Sequence, residues 1–422
     1  MSQTHAHEYE VAILGGGPAG ATAAAALARK GRRVALLEPD NFPRFHIGES
    51  LLSNANAVFR AIGLHPAMHG SAFTKKYGAR FLTADGSKDV LFDFTANPKI
   101  PEPQTFQVCR ADIDLMLLEH AVACGAERLQ VRAKEVAITD AGVTIHCDPE
   151  RTLRAQAVID ATGRAGLLAR KFGLRERDPD LEKLAVHAHF QGVPRDEGPR
   201  GGDIRIVSHQ ELGWAWLIPL ADGVMSVGFV LELSANEGPG KRPPERLLHD
   251  LLADWPVLRR LTAQATRTTP VRVESSFSYR TRRYAGRRFL LAGDAGSFLD
   301  PVFSSGVMFA LHAGLKAAEA LDAALGAGRI ATEGFGAYDR SQRERYELVR
   351  KFVVGFYRPN FRDFFFAPTR RFGLVQAVTA VLGGFWEPSA ADRLRLATLF
   401  GLAQLQRVVR VVPRVHTPVP AP

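Results

Sequence analysis

Residues 9–37 constrain the fold of this chain more than any other stretch. Tyr9–Leu14 is apolar and β-branched, and Gly15-Gly16-Gly17-Pro18-Ala19-Gly20 is a breaker-rich turn. Ala21–Lys30 is rich in alanine, Gly31 stops it, and Arg33–Leu37 is apolar again. The pattern predicts strand, turn, helix and strand, a βαβ unit that belongs in a parallel sheet. The glycine spacing is GxGxxG. Gly15 permits the tight turn, Gly17 lets the backbone approach a pyrophosphate, and Gly20 lets helix and strand pack closely. Pro18 and Ala19 complete the loop, and the helix N-terminus adds free N–H groups and positive potential for phosphates. Glu38, at the end of the second strand, stands where an acid accepts hydrogen bonds from a ribose. These residues bind a dinucleotide without separating FAD from NAD.

Two later stretches favour FAD. Val158-Ile159-Asp160-Ala161-Thr162-Gly163 ends a strand in small residues that let a cofactor pass. Leu290-Leu291-Ala292-Gly293-Asp294-Ala295 ends another. There Asp294 would hold the ribityl chain, and the helix beyond it would aim its positive end at the flavin ring. The plain alternative for Asp294 is a helix cap, and both roles are compatible.

Between these stretches the pattern changes. Tyr77–Phe94 alternates around an Asp85-Gly86 turn, and Leu51–Leu64 and Ile113–Cys124 look helical. Val131–Ile145 and Leu184–Val230 read as strands, with Gly192–Gly202 and Asn236–Pro244 as loops. Gly306–Leu325 is a long small-residue helix. From about residue 330 to Val412 the pattern is helical, and Pro413–Pro422 reads as frayed. The expectation is an α/β chain. A Rossmann-type FAD-binding domain (1–74, 106–166 and 283–328) is interleaved with a mostly antiparallel β-sheet substrate domain (75–105 and 167–282), and residues 329–422 form a C-terminal helical cap.

Composition narrows the partners. The 422 residues carry 54 Lys+Arg against 44 Asp+Glu, a net charge of +10. The arginines are dispersed and no recognition motif accompanies them, so nucleic acid is not expected. Phosphate-binding groups or an acidic partner such as a carrier protein account for the balance. Three widely spaced cysteines make neither a metal pattern nor a disulfide framework, and no metal is expected. Met1–Glu10 has no apolar core of a signal peptide, so the expected location is cytoplasmic. The apolar run Gly373–Trp386 is too short for a comfortable membrane span and reads as core, with membrane contact as the lesser alternative.

Four further segments carry a resemblance. Phe42–Leu52 (FPRFHIGESLL), Phe73–Gly78 (FxxKxG), Gly213–Pro219 (GWxWxIP) and Phe298–Gly306 (FxxPxxSxG) together resemble the signature set of the flavin-dependent halogenases, which share the aromatic-hydroxylase-like fold. The resemblance implies FAD, reduced by a separate flavin reductase, with oxygen and with chloride or bromide as co-substrate. Hypohalous acid then reaches a lysine beside an aromatic substrate. The matching lysine is Lys76, the catalytic candidate. Its ammonium would orient hypohalous acid; its neutral amine would form a chloramine, which needs a pKa lowered by burial. Both remain open. Lys75 would face the other side of a strand.

The same resemblance implies that Trp214 and Trp216, on one strand face, shield the flavin. It implies a halide pocket at Ser304, Ser305 and Gly306, with Pro301 and Gly306 also against the cofactor. Arg44, Ser50 and Arg110 match flavin-contacting segments. Taken singly, the tryptophans read as sheet core and the Pro301 stretch as a helix start. One departure narrows the subclass. Free-tryptophan halogenases carry a glutamate in the segment Pro301–Gly306, and here there is none. That resembles the phenol and pyrrole halogenases, many of which act on substrates tethered to a carrier protein. The alternative is a non-halogenating FAD monooxygenase or a geranylgeranyl-reductase-like oxidoreductase, which leaves Lys76 and the tryptophans without a role.

Overall fold

The computed structural model describes residues 8–232, 242–368 and 373–415. The expected loop Asn236–Pro244 and frayed end Pro413–Pro422 lie largely outside them.

Two large sheets organise the chain. In the first, Glu127–Leu129, Val34–Leu37, Tyr9–Leu14, Arg151–Asp160 and Phe289–Leu291 run side by side and parallel. The hairpin Arg132–Ile138/Val143–Asp148 adds antiparallel to the start of Arg151–Asp160. The apolar sequences of these strands follow from burial on both faces. Register decides where the motifs meet. Leu14 pairs with Leu37 and with Asp160, and Asp160 pairs with Leu291. The glycine loop, the Ala161-Thr162-Gly163 turn and Gly293-Asp294 therefore leave one edge of the sheet together, the edge at which open α/β sheets bind ligands.

The second sheet orders its strands as Thr266–Arg267, Lys183–Gln191, Val224–Glu232, Gly213–Pro219, Ile204–Ser208, Gly78–Thr83 and Asp89–Asp93. All these pairings are antiparallel except Ile204–Ser208 with Gly78–Thr83. Its two faces have different work. Ala215 and Leu217 point into a core closed by Trp255, between the helices Pro244–Asp254 and Pro256–Thr262. Trp214, Trp216 and Ile218 point the other way, into the main core, as the two-residue period of a strand requires.

Three expectations are corrected in detail. The helix after the glycine loop is Pro18–Ala28, so it starts three residues before Ala21. Proline at the first position has its φ already set and no N–H to lose. Leu51–Leu64 is not one helix: Leu51 donates its N–H to Phe106 O at 2.9 Å, and Ala55–Ile62 and His65–His69 follow. Val131–Ile145 is two strands, not one. The C-terminal region is helical as expected, in Gly336–Phe356, Pro359–Phe366, Leu374–Leu382 and Ala390–Leu405. Leu374–Leu382 packs into the main core, and no helix of the described residues is long and apolar enough to cross a membrane.

Candidate active site

At the shared strand edge the glycines do different things. Gly15 has φ +102°, in the left-handed region. A Cβ on Gly20 would lie 1.8 Å from Gly15 O, whereas one on Gly17 would meet nothing nearer than Arg44 Nη2 at 3.6 Å. Gly20 is therefore a packing glycine, and Gly17 leaves open backbone beside a guanidinium. Arg44 lies over the Phe42 ring and pairs with Glu38 at 3.7 Å and Asp40 at 3.8 Å, and among the described residues its buried Nε has no hydrogen-bond partner. Glu38 is buried and accepts from Gly16 N–H at 2.7 Å and Asp40 N–H at 2.9 Å. Each of its oxygens thus keeps a further lone pair.

Asp294 sits at the mouth of this edge. Its carboxylate has no hydrogen bond among the described residues, and burial raises its pKa to about 6 against the pull of Arg110 and Arg164. A half-buried carboxylate without donors leaves its oxygens open to hydroxyl partners. Arg110 is clamped by Asp114 at 2.9 Å through two nitrogens and also donates to Ile47 O. That pins the loop Ile47-Gly48, whose Gly48 has φ +112° and leaves room for Arg110 and Val307 alone. Open glycine backbone, an arginine nitrogen without a hydrogen bond and a carboxylate without donors fit a flavin dinucleotide. Bound there, reduced FAD supplies the oxygen activation that an electrophilic halogen needs.

Lys76 ends the short strand Thr74–Lys76, which pairs with Thr105–Gln107. Alternation turns Lys75 to solvent and buries Lys76 to 1% exposure. The amine donates to Ser50 Oγ and Leu51 O, both at 2.9 Å, and lies 5.6 Å from the Phe94 ring centroid. Burial pushes its pKa down to about 7, with the charge of Asp203 opposing. Ser50, expected at the cofactor, thus has its hydroxyl on the lysine.

The tryptophans connect to the other motif. Their ring centroids are 5.8 Å apart. A Cβ on Gly228, which pairs with Trp216, would lie 2.3 Å from that indole, so glycine there makes the ring's space. Trp216 Nε1–H donates to Ser226 Oγ at 3.1 Å. Trp214 Nε1–H donates to Tyr357 Oη at 2.9 Å, and Tyr357 O–H donates to Asp300 Oδ2 at 2.6 Å. Asp300 Oδ1 accepts Val302 N–H at 3.0 Å. Asp300 is fully buried, which raises its pKa to about 6 although Tyr357 and Val302 hold the charged form. GWAWLIP and FLDPVFSSG are thus joined through one phenol from the C-terminal region.

Asp300 anchors the turn Pro301–Phe303. Ser304 follows at φ +54°, a strained conformation for a residue with a Cβ. The turn then opens the helix Ser305–Gly326. Ser304 N–H is already taken by Pro301 O at 2.8 Å. Ser305 is 1% exposed, and its buried Oγ has no hydrogen-bond partner among the described residues. A Cβ on Gly306 would come no closer than 3.5 Å to Phe298. Of the three halide candidates, Ser305 therefore offers an orphan hydroxyl and a first-turn amide, and Ser304 only its side chain. Phe303 joins Phe81, Phe356 and Phe365 at centroid distances of 5.7 to 6.3 Å. Phe365 reaches Phe92 at 4.7 Å, two residues before the Phe94 that Lys76 faces.

Residues beyond the sequence reading also converge here. Glu49 Oε1 meets His189 Nε2 at 2.7 Å, tying the cofactor loop to the second sheet. His187, its Nε2 without a hydrogen bond among the described residues, lies between Phe45 and Trp216, and burial holds its pKa down to about 4. Glu49 stands inside the segment Phe42–Leu52, and Asp300 directly before Pro301, so both had a local signal. Tyr357 had none. Although no metal is expected, His65, His69 and Glu102 bring their ligand atoms within 4.8 Å of one another, with Arg60 also on Glu102.

Comparison with known proteins agrees with this geometry. A family model described as tryptophan halogenase matches residues 10–109 and 95–371. The chain is 32% identical over 355 residues to a 1H-pyrrole-2-carbonyl-[peptidyl-carrier protein] brominase of Pseudoalteromonas luteoviolacea, covering 82% of this chain and 86% of that protein. It is 30% identical over 399 residues to a 1H-pyrrole-2-carbonyl-[peptidyl-carrier protein] chlorinase of Pseudomonas fluorescens, covering 88% of each. Among solved structures, the flavin-dependent brominase Bmp2 superposes with a TM-score of 0.83 at 28% identity, over 94% of this chain and 100% of the other.

Proposed function

We propose that this chain, which belongs to the tryptophan halogenase family and is an FAD-dependent halogenase of secondary metabolism, halogenates a pyrrole- or phenol-like ring presented on a carrier protein, through Lys76. The observation that carries the reading is the state of Lys76: a buried amine, bonded among the described residues only to a hydroxyl and a carbonyl, with its pKa brought to about 7. Such an amine exchanges its proton at neutral pH and presents a lone pair or a donor to an electrophilic halogen species.

The other residues take roles by position. Gly15, Gly17, Pro18, Ala19, Gly20, Glu38, Arg44, Arg110 and Asp294 hold the cofactor. Ser305 Oγ and the first-turn amides at Ser305 and Gly306 hold the halide, with Ser304 beside them and Pro301 framing the turn. Trp214 and Trp216 wall the cofactor side. The similar proteins that act on pyrrolyl carrier proteins support a tethered ring. The apolar wall at Phe303 supports an electron-rich ring that needs no acid beside the lysine. A flavin reductase supplies the electrons. The domain division is the interleaved one drawn from the sequence.

The test is a reaction with FAD, a flavin reductase, NADH, oxygen and bromide, offering phenols and a pyrrolyl-loaded carrier protein. A bromine isotope doublet in the product is expected. Hydroxylated products alone would overturn the reading.

A further inference from the structure

One end of the C-terminal helical region has no role in the account above. Among the described residues nine large hydrophobic side chains are exposed, and five of them fall in one short stretch: Leu394, Leu405, Val408, Val409 and Val411. Val408 is 82% exposed and Leu394 70%. Leu394 and Leu405 are eleven residues apart on the helix Ala390–Leu405, about three turns, and so share a face. From Arg393 to Val415 the chain carries five arginines and no acid. Arg407, Arg410 and Arg414 make no side-chain hydrogen bond or ion pair among the described residues. Beside this face lies an open pocket of about 440 Å³, lined by Arg358, Pro359, Asn360, Gln404 and Arg407. Arg358, too, has no side-chain partner among the described residues.

We propose that this basic, apolar face is the docking site of the carrier protein, with the Arg358/Arg407 pocket receiving the phosphate of its prosthetic arm. Apolar side chains rimmed by unpaired guanidinium groups complement an acidic amphipathic helix. Two guanidinium groups flanking a pocket suit a phosphodiester better than a neutral ligand. Continuity adds a second argument. Arg358 directly follows Tyr357, which is bonded to Trp214 and Asp300. The next helix, Pro359–Phe366, lines the pocket with its first residues and places Phe365 against Phe303 and Phe92. An arm seated at Arg358 therefore starts beside the aromatic wall of the candidate site.

The inference rests on the carrier-tethered reading, and the experiment separates the two. Wild-type enzyme and the Arg358→Glu/Arg407→Glu double variant are given a pyrrolyl-loaded carrier protein and, separately, a small free phenol. The variant should raise KM for the loaded carrier at least tenfold, make that KM less sensitive to salt than the wild type's, and leave phenol bromination within twofold. Val408→Asp, a single change on the apolar face, should act in the same direction. If the double variant treats the loaded carrier as the wild type does, or loses both substrates equally, the docking site is wrong. Wild-type enzyme that brominates phenol but never the loaded carrier overturns the carrier reading and this proposal with it. Loss of a dimer in Val408→Asp, or binding of the wild type to anionic vesicles abolished by that change, would assign the face to another occupant and overturn the proposal too.

Discussion

Lys76 and Asp300 are both fully buried ionisable groups, and they are held in opposite ways. Lys76 leans on neutral partners: Ser50 and Leu51 accept its protons, and among the described residues no carboxylate forms an ion pair with it. Asp300 leans on a distant part of the chain. Its partner Tyr357 lies 57 residues on and also accepts from Trp214. Burial moves both toward the neutral form, to about 7 for the amine and about 6 for the acid. The first arrangement leaves an amine poised for proton exchange near neutral pH. The second spends its group on structure, because both carboxylate oxygens are occupied and the turn they hold points Ser305 inward. On the proposed roles, chemistry falls where the partners are weak, and positioning where they are strong.

The contrast can be broken at either end, and the largest effect is expected at the lysine. Lys76→Ala should lower ring halogenation about 10³-fold, within the range for losing one acid–base group, as read by product mass spectrometry. Tyr357→Phe leaves Asp300 and Trp214 each short of a partner. Its cost, about 1.5–3 kcal/mol for a hydrogen bond to a charged group, should appear as a drop in halide kcat/KM of about 10- to 100-fold. Ser305→Ala removes one neutral donor and should raise the halide KM by about fivefold, near 1 kcal/mol. Lys75→Ala, on the exposed face of the same strand, should change halogenation by less than about twofold.

The titration of Lys76 sharpens the same comparison. Its pKa is lower in the fold than in an unfolded chain. As pH falls from about 10.5 toward 7 the unfolded amine protonates while the folded one does not, so stability is lost across that window. Below about 7 both forms are charged and the loss levels off. Lys76→Met should therefore gain more Tm over the wild type at pH 7 than at pH 10, measured by thermal melts at both. An equal gain would mean that the amine is not shifted.

What the sequence revealed follows the same division. The glycine loop, Glu38 and Gly293-Asp294 were legible because strand ends and turns are local, and parallel register brings them to one edge. Lys76 and the tryptophan face were legible because a strand has a period of two. Tyr357 was not, since an aromatic-rich helical tail has no periodicity that says which ring reaches a distant carboxylate. The helix starting at Pro18 was misplaced for a smaller reason, the tolerance of a first turn for proline. His187 and His189 lay in a strand read only as strand.

The central claim is that the halide is oxidised at the Asp300–Ser305 end and delivered at the Lys76 end. A scavenger such as monochlorodimedone, added beside the aromatic substrate, separates the two. In Lys76→Ala the scavenger should still be brominated, at close to the rate at which reduced flavin is reoxidised, while the aromatic product disappears. In Tyr357→Phe both should fall together. If Lys76→Ala instead abolishes scavenger bromination while FAD remains bound, the lysine belongs to halide oxidation, and the division of labour described here is wrong.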